Sequence, residues 1–364
     1  MLMQTQVKMS LQEFSGYVAE NIRNYMPPEY GGADVTVRKV YKDNDTELVA
    51  VDVKRSGETV VPSVYLNDLY DRYIGGEDPA ELVSQAADMR VIHDAENLID
   101  SRILTNSIMD YETAKKNLVI SICCTEWNRN RLEGKVFRQV GEFSEYYRVA
   151  VELDPDEPGT YSSVAVTEDI LGMWGISREQ LHADAILAED ARKPGLYCMN
   201  DLIKEFKGRK EPANLLDLAD DEAVDRSMPM FCLTTSDRVN GAALMLRDDI
   251  LSEAAEVLND DFFILPSSTH EVLLVPECTG FAVEDLSEMV SAVNREQVMP
   301  QERLSDHVHY YDRVHHLLIN THDGAAVSKD LDNYREEYVP KEKKQDLPEK
   351  DTPKMSRPHK RRSR

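Results

Sequence analysis

Tryptophan is scarce in this chain, with two residues in 364, and cysteine nearly so, with five. Cys123, Cys124, Cys198, Cys232 and Cys278 form an odd set without regular spacing, which excludes a disulfide-stapled secreted scaffold. Reduced, mostly buried thiols in a reducing cytosol are the simple reading. No apolar run approaches the roughly 20 residues that cross a bilayer; stretches such as Leu118–Cys124 and Phe262–Leu265 are far shorter. Residues 1–10 lack the continuous apolar core of a secretory signal, so a cytoplasmic protein without membrane attachment is expected. Phosphate-binding glycine loops are missing too. Gly31-Gly32 and Gly75-Gly76 are isolated pairs with no following Lys-Ser or Lys-Thr, so no cofactor is expected.

Positive charge is the last shortage, and it is unevenly spread. The chain has 42 basic against 67 acidic residues, a net of −25. Residues 339–364 hold ten Lys or Arg and four Asp or Glu, a net of +6, so the other 338 residues carry −31. Such a body repels nucleic acid and anionic membranes at long range. Nucleic acid is therefore expected to be engaged only through the basic tail, and a protein partner is expected on a separate ground, the lack of an assembled site or cofactor loop.

What is present supports a folded α+β protein. Hydrophobic residues make up 41% of the chain, too many for global disorder, and the length suits two domains. Leu11, Phe14, Val18 and Ile22 recur at spacings of three and four, which predicts a helix over residues 11–25 that Pro27 and Pro28 terminate. Alternating runs at 33–41, 46–54 and 59–66 predict a meander. Helices are expected from Asn67 and Pro79, strands at 115–124, 143–153 and 161–166, and helices from Thr167 and Ser177. Residues 192–227 read as a polar connector with short helices. Beyond it come strands at 230–235 and 241–246, a helix at 248–258, strands at 261–265 and 271–275, a helix at 283–293 and a strand near 308–319. The 271–275 run is apolar on both alternating faces, so it should be central and covered on each side. The expected organisation is two mixed α/β domains with largely antiparallel sheets at 1–195 and 225–325. A polar connector spans 196–224 and a disordered basic tail spans 326–364.

Two groups of residues could carry chemistry. Ser267, Ser268 and His270, with Asp306 or His307 as further members, make up the parts of a nucleophilic site. The same serines also suit a turn, where hydroxyls satisfy backbone amides, and there is no Gly-x-Ser-x-Gly elbow. His307, His309, His315, His316 and His322 gather late in the chain, and His307 and His309 would share one face of a strand. His270-Glu271 is not a His-Glu-x-x-His motif, because Leu274 stands where the second histidine would be. No metal is expected. Trp127 and Trp174 read as core residues.

The string from Asp260 to Pro276 (DDFFILPSSTHEVLLVP), with Val293-Asn294 and the later Leu-Ser-Asp-His-Val block at 304–308, resembles the signature of an uncharacterised bacterial family. Residues 64–67, 168–176 and 240–243 extend the resemblance across about residues 10–315, leaving the basic tail outside. The family belongs to gut Firmicutes, often near integrative or conjugative elements, and its domain is of unknown function, so no catalytic residues carry over. The resemblance implies lineage and fold, with a link to mobile elements. The expectation is an accessory or regulatory protein working through protein–protein contacts. The alternatives are a hydrolase at residues 267–270 and an acidic mimic of DNA.

Overall fold

Ser10 opens the first helix as a capping box: its hydroxyl accepts from the Glu13 amide, and the Glu13 carboxylate accepts from the Ser10 amide. Helix α1 (Leu11–Asn21) then buries Phe14 and Val18, and a 3₁₀ turn carries Ile22 into the same core before Pro27. The computed structural model describes residues 8–58, 61–95, 107–152, 161–208, 211–218 and 228–327. The tail from residue 328, and the turn expected at 154–159, lie outside the described residues.

Strands β1 (Asp34–Tyr41), β2 (Glu47–Lys54) and β3 (Ser63–Tyr65) form an antiparallel meander. Val49, Val51 and Val53 of β2 face α1 and the helices α2 (Asn67–Gly75) and α3 (Pro79–Ala95), making one apolar cluster within residues 14–87. Gly76 takes a left-handed φ of 108°, which ends α2 at little cost for glycine. Asn67 does not cap α2 as its type suggests. Its side chain instead accepts from the Val49 amide and ties the helix start to β2.

A single helical turn, α4 (Tyr111–Ala114), leads into a second antiparallel sheet of β4 (Leu118–Cys124), β5 (Phe137–Val140), β6 (Phe143–Glu152) and β7 (Tyr161–Ala165). Helices α5 (Glu168–Trp174) and α6 (Arg178–Ala191) follow. Thr167 and Ser177 cap them by accepting from the amides three residues on. Trp174 packs against the main core and donates its indole N–H to the Ile108 carbonyl at 2.7 Å.

The third sheet has seven strands. In chain order they are β8 (Pro194–Cys198), β9 (Phe231–Thr235), β10 (Phe262–Leu265), β11 (Val272–Pro276), β12 (His309–Asp312), β13 (Leu317–Asn320) and β14 (Ala326–Val327). Their spatial order is 14-13-12-10-11-9-8. Strand β11 is central, as its sequence predicts. Val272 and Leu274 enter the large core shared with the second sheet, while Val275 and Leu273 enter a smaller one with Phe263, Leu265 and helix α9 (Val283–Glu296).

Three elements depart from expectation. Strand β8 lies at the edge of the region expected as a connector and pairs with β9 across it, followed by helix α7 (Met199–Phe206). The sheet therefore spans that connector. Its open side is blunted by Asn214, whose side chain accepts from the Leu196 amide and donates to the Pro194 carbonyl. The expected strand at 241–246 is a fully buried 3₁₀ helix, Gly241–Leu246. Asn240 enters it at φ 55°, and a Cβ on Gly241 would lie 2.3 Å from the Thr234 hydroxyl. That close approach turns the chain inward before α8 (Asp248–Leu258). The single strand expected near 308–319 is the hairpin β12–β13.

Candidate functional site

Residues 266–271 and 302–307 run side by side. The Ser305 amide donates to the Pro266 carbonyl at 3.1 Å, Leu304 to Ser267 at 3.3 Å and Thr269 to Glu302 at 3.0 Å. The backbone therefore brings Ser267, Ser268 and His270 beside Asp306 and His307, but their side chains turn to other partners. The Ser268 hydroxyl accepts from the His270 amide at 3.0 Å, a local turn bond. The His270 ring accepts from the Asn240 amide through Nδ1 at 3.4 Å, and its Nε2 lies 3.9 Å from Glu302. Asp306 accepts from the Asn294 amide group at 2.7 Å. Among the described residues, neither serine hydroxyl is bonded to an imidazole ring.

The polar contacts instead centre on Glu142, at the turn between β5 and β6. Its Oε2 lies 2.7 Å from His307 Nδ1, and its Oε1 accepts from the Ser305 hydroxyl at 2.7 Å. Oε1 is also 3.5 Å from Nε2 of His309. Both His307 and His309 thus meet one carboxylate, consistent with their shared face. His309 is fully buried against Phe143, and burial pushes its pKa down to about 4. His307 is more open and lies flat on His322, ring centroids 4.4 Å apart. A carboxylate on Nδ1 fixes the His307 tautomer and leaves Nε2 to take or give a proton. His315 and His316 lie elsewhere, paired with Asp312 and Asp248. Among the described residues, no group of three or more His, Cys, Asp or Glu side chains is placed to hold a metal.

Sequence reasoning missed Glu142, which lies in a polar stretch more than 160 residues before His307. The available signal was Gly141, whose φ of 58° marks a tight turn that projects the next side chain.

A second missed feature is a line of ions between the sheets and α6. Arg138 and Glu145 face each other across β5 and β6, both buried, with Nε to Oε2 at 2.7 Å. Nearby, Glu189 of α6 is buried at 3.3 Å from Arg247, which also holds Asp190 and Asp249. Burial raises the pKa of Glu145 and pushes that of Glu189 up to about 7. Arg138 alternates with Val136 and Val140, and Glu145 with Phe143 and Tyr147, so both ions occupy core-facing positions. Removing one partner of the Arg138–Glu145 pair strands the other in the core, at a cost of about 3–5 kcal/mol.

No helix among the described residues is long and apolar enough to cross a membrane. No curated protein and no solved structure gives a match to the chain. Residues 11–313, from α1 to the end of β12, match the family of unknown function DUF5688, and the chain belongs to that family.

Proposed function

We propose that the protein is an accessory or regulatory factor that binds another protein, one with a basic surface and an apolar pocket. The observation that supports this is α7. None of its residues is buried, and Phe206 is 95% exposed with Ile203 three positions away on the same face. Burying a phenylalanine is worth roughly 2–3 kcal/mol, and a rigid aromatic entering a pocket is the usual anchor of an interface. The −31 charge of residues 1–338 would speed encounter with a cationic partner. A cytosolic setting is supported by the odd, irregular cysteine set, and a link to mobile elements by the resemblance of residues 260–276.

A photo-crosslinking side chain in place of Ile203 should trap a basic protein from extracts of the source cell. Phe206→Asp should abolish the capture at unchanged Tm, because the ring makes no buried contact. Equal capture by that variant would overturn the reading.

A second reading is favoured by the Glu142–His307 contact: acid–base chemistry with His307 as the proton carrier and Glu142 as its orienting carboxylate. Screening ester, peptide and phosphoester substrates decides it. Turnover lost in His307→Gln at unchanged Tm would establish it, and absence of any His307-dependent turnover would dismiss it.

A further inference from the structure

The meander of β1, β2 and β3 ends on one side in an open edge. Strand β1 is eight residues long, pairs with β2 alone and has no other strand beside it among the described residues. Its outward backbone groups can be assigned. Val49 sends its carbonyl to the Leu66 amide and its own amide to the Asn67 side chain, so it faces away from β1. Antiparallel ladders alternate, so Ala50 and Asp52 face β1, and their partners Arg38 and Thr36 bond inward. Val35, Val37 and Lys39 therefore direct their N–H and C=O groups to the open side. No hydrogen bond to those groups forms among the described residues.

One apolar side chain of this edge stands in water. Val37 lies opposite the fully buried Val51 yet is 41% exposed, so the apolar face of the sheet runs out to the rim. The usual protections of an edge are proline, a bulge or charge. Here there is no proline, and the eight-residue register with β2 is unbroken. Both cations of the strand are already paired: Lys39 with Glu47 at 2.8 Å and Arg38 with Asp52 at 2.6 Å.

We propose that β1 pairs with β1 of a second copy of this chain, antiparallel about a two-fold axis at Thr36, to give one continuous six-stranded sheet. Charge selects the register. Outward residues must pair with outward residues, so the axis can move only in whole residues along the strand. Centred on Thr36, the pairing sets Asp34 opposite Arg38 of the other copy, twice, with Val35 opposite Val37 on the apolar face. Centred on Val37 it sets Thr36 opposite Arg38 and leaves Asp34 facing Val40. Centred on Arg38 it opposes two guanidinium groups, which like-charge repulsion disfavours. The Thr36 register is self-complementary, as a two-fold contact requires. Asp34 and Arg38 meet as non-hydrogen-bonded pairs, where side chains approach most closely. About four main-chain hydrogen bonds and two ion pairs form, which fits a weak, concentration-dependent dimer.

Sedimentation velocity of the full chain from about 10 µM to about 1 mM tests this. The wild type should move from monomer to dimer across that range. Asp34→Arg sets one guanidinium against another, that of Arg38 in the other copy, and should hold the chain monomeric, with Tm unchanged because Asp34 is exposed. Val37→Pro removes only an outward N–H and should do the same. Should that proline lower the Tm, Asp34→Arg still carries the test. Thr36→Cys, on the axis, should give disulfide-linked dimer under mild oxidation at least tenfold faster than Lys39→Cys, off the axis. A wild type that stays monomeric, a dimer indifferent to Asp34→Arg, equal cross-linking at 36 and 39, or growth beyond the dimer would each overturn the proposal.

Discussion

Replacing Glu189 by Gln should flatten part of the pH dependence of stability. Glu189 is fully buried, and burial pushes its pKa up to about 7 from the 4.5 of an ordinary glutamate. Between those values the folded chain keeps a proton that the unfolded chain releases. The unfolded state then binds fewer protons, so stability falls as pH rises through this window and is unaffected by this group below it. Each pH unit is worth about 1.4 kcal/mol, and the window from 4.5 to 7 amounts to about 3 kcal/mol. Glutamine keeps the shape of the protonated acid but cannot ionise. Between about pH 4.5 and about pH 8 the wild type should therefore lose about 3 kcal/mol more than Glu189→Gln, with the two nearly equal in stability at the acidic end. Urea unfolding at several pH values, with m-values compared to confirm a common transition, measures the difference. Parallel pH profiles would refute the reasoning. So would a variant markedly weaker than wild type at the alkaline end, which would mean that the ionised carboxylate beside Arg247 is net stabilising.

Leu274→Ala, at a fully buried position on the central strand β11, should cost about 2–5 kcal/mol in chemical denaturation, and a loss under about 1 kcal/mol would contradict its placement. His270→Ala should cost about 1 kcal/mol, since the ring loses one long bond from the Asn240 amide, and a loss above about 3 kcal/mol would show a larger role. A thiol titration of the native chain should find one fast group, Cys278, because the other four cysteines are buried and burial pushes Cys123 and Cys232 up to about 12. Two or more fast thiols would contradict the packing of β4, β8 or β9.

The late part of the chain is legible because its strands are apolar on both faces and its helices are amphipathic. Residues 262–265 and 272–276 could hardly be anything but inner strands once paired through a short turn. The same apolar richness hid the 3₁₀ helix Gly241–Leu246, since a short buried run has no periodicity to separate strand from tight helix. What distinguishes it is a tertiary fact, the approach of Gly241 to Thr234. Strand β8 was obscured by Pro194 and Gly195, residues that usually break strands but are tolerated at a sheet edge. The block at 266–271 was visible as a cluster, yet its bonding was not. Whether Ser268 meets the ring or the amide of His270 depends on backbone geometry that residue type does not encode. Glu142 and the Arg138–Glu145 pair were hidden for another reason: charged residues in a short hairpin read as surface, and only tertiary packing half-buries Glu142 and makes Arg138 and Glu145 core.

Helix α7 is the proposed surface that another protein covers. Hydrogen–deuterium exchange of the full chain, alone and with its cross-link-identified partner, measures this directly. Amides of residues 199–208 should exchange at least tenfold more slowly in the complex, and that protection should vanish with Phe206→Asp. Protection confined to other segments, with 199–208 unchanged, would contradict it.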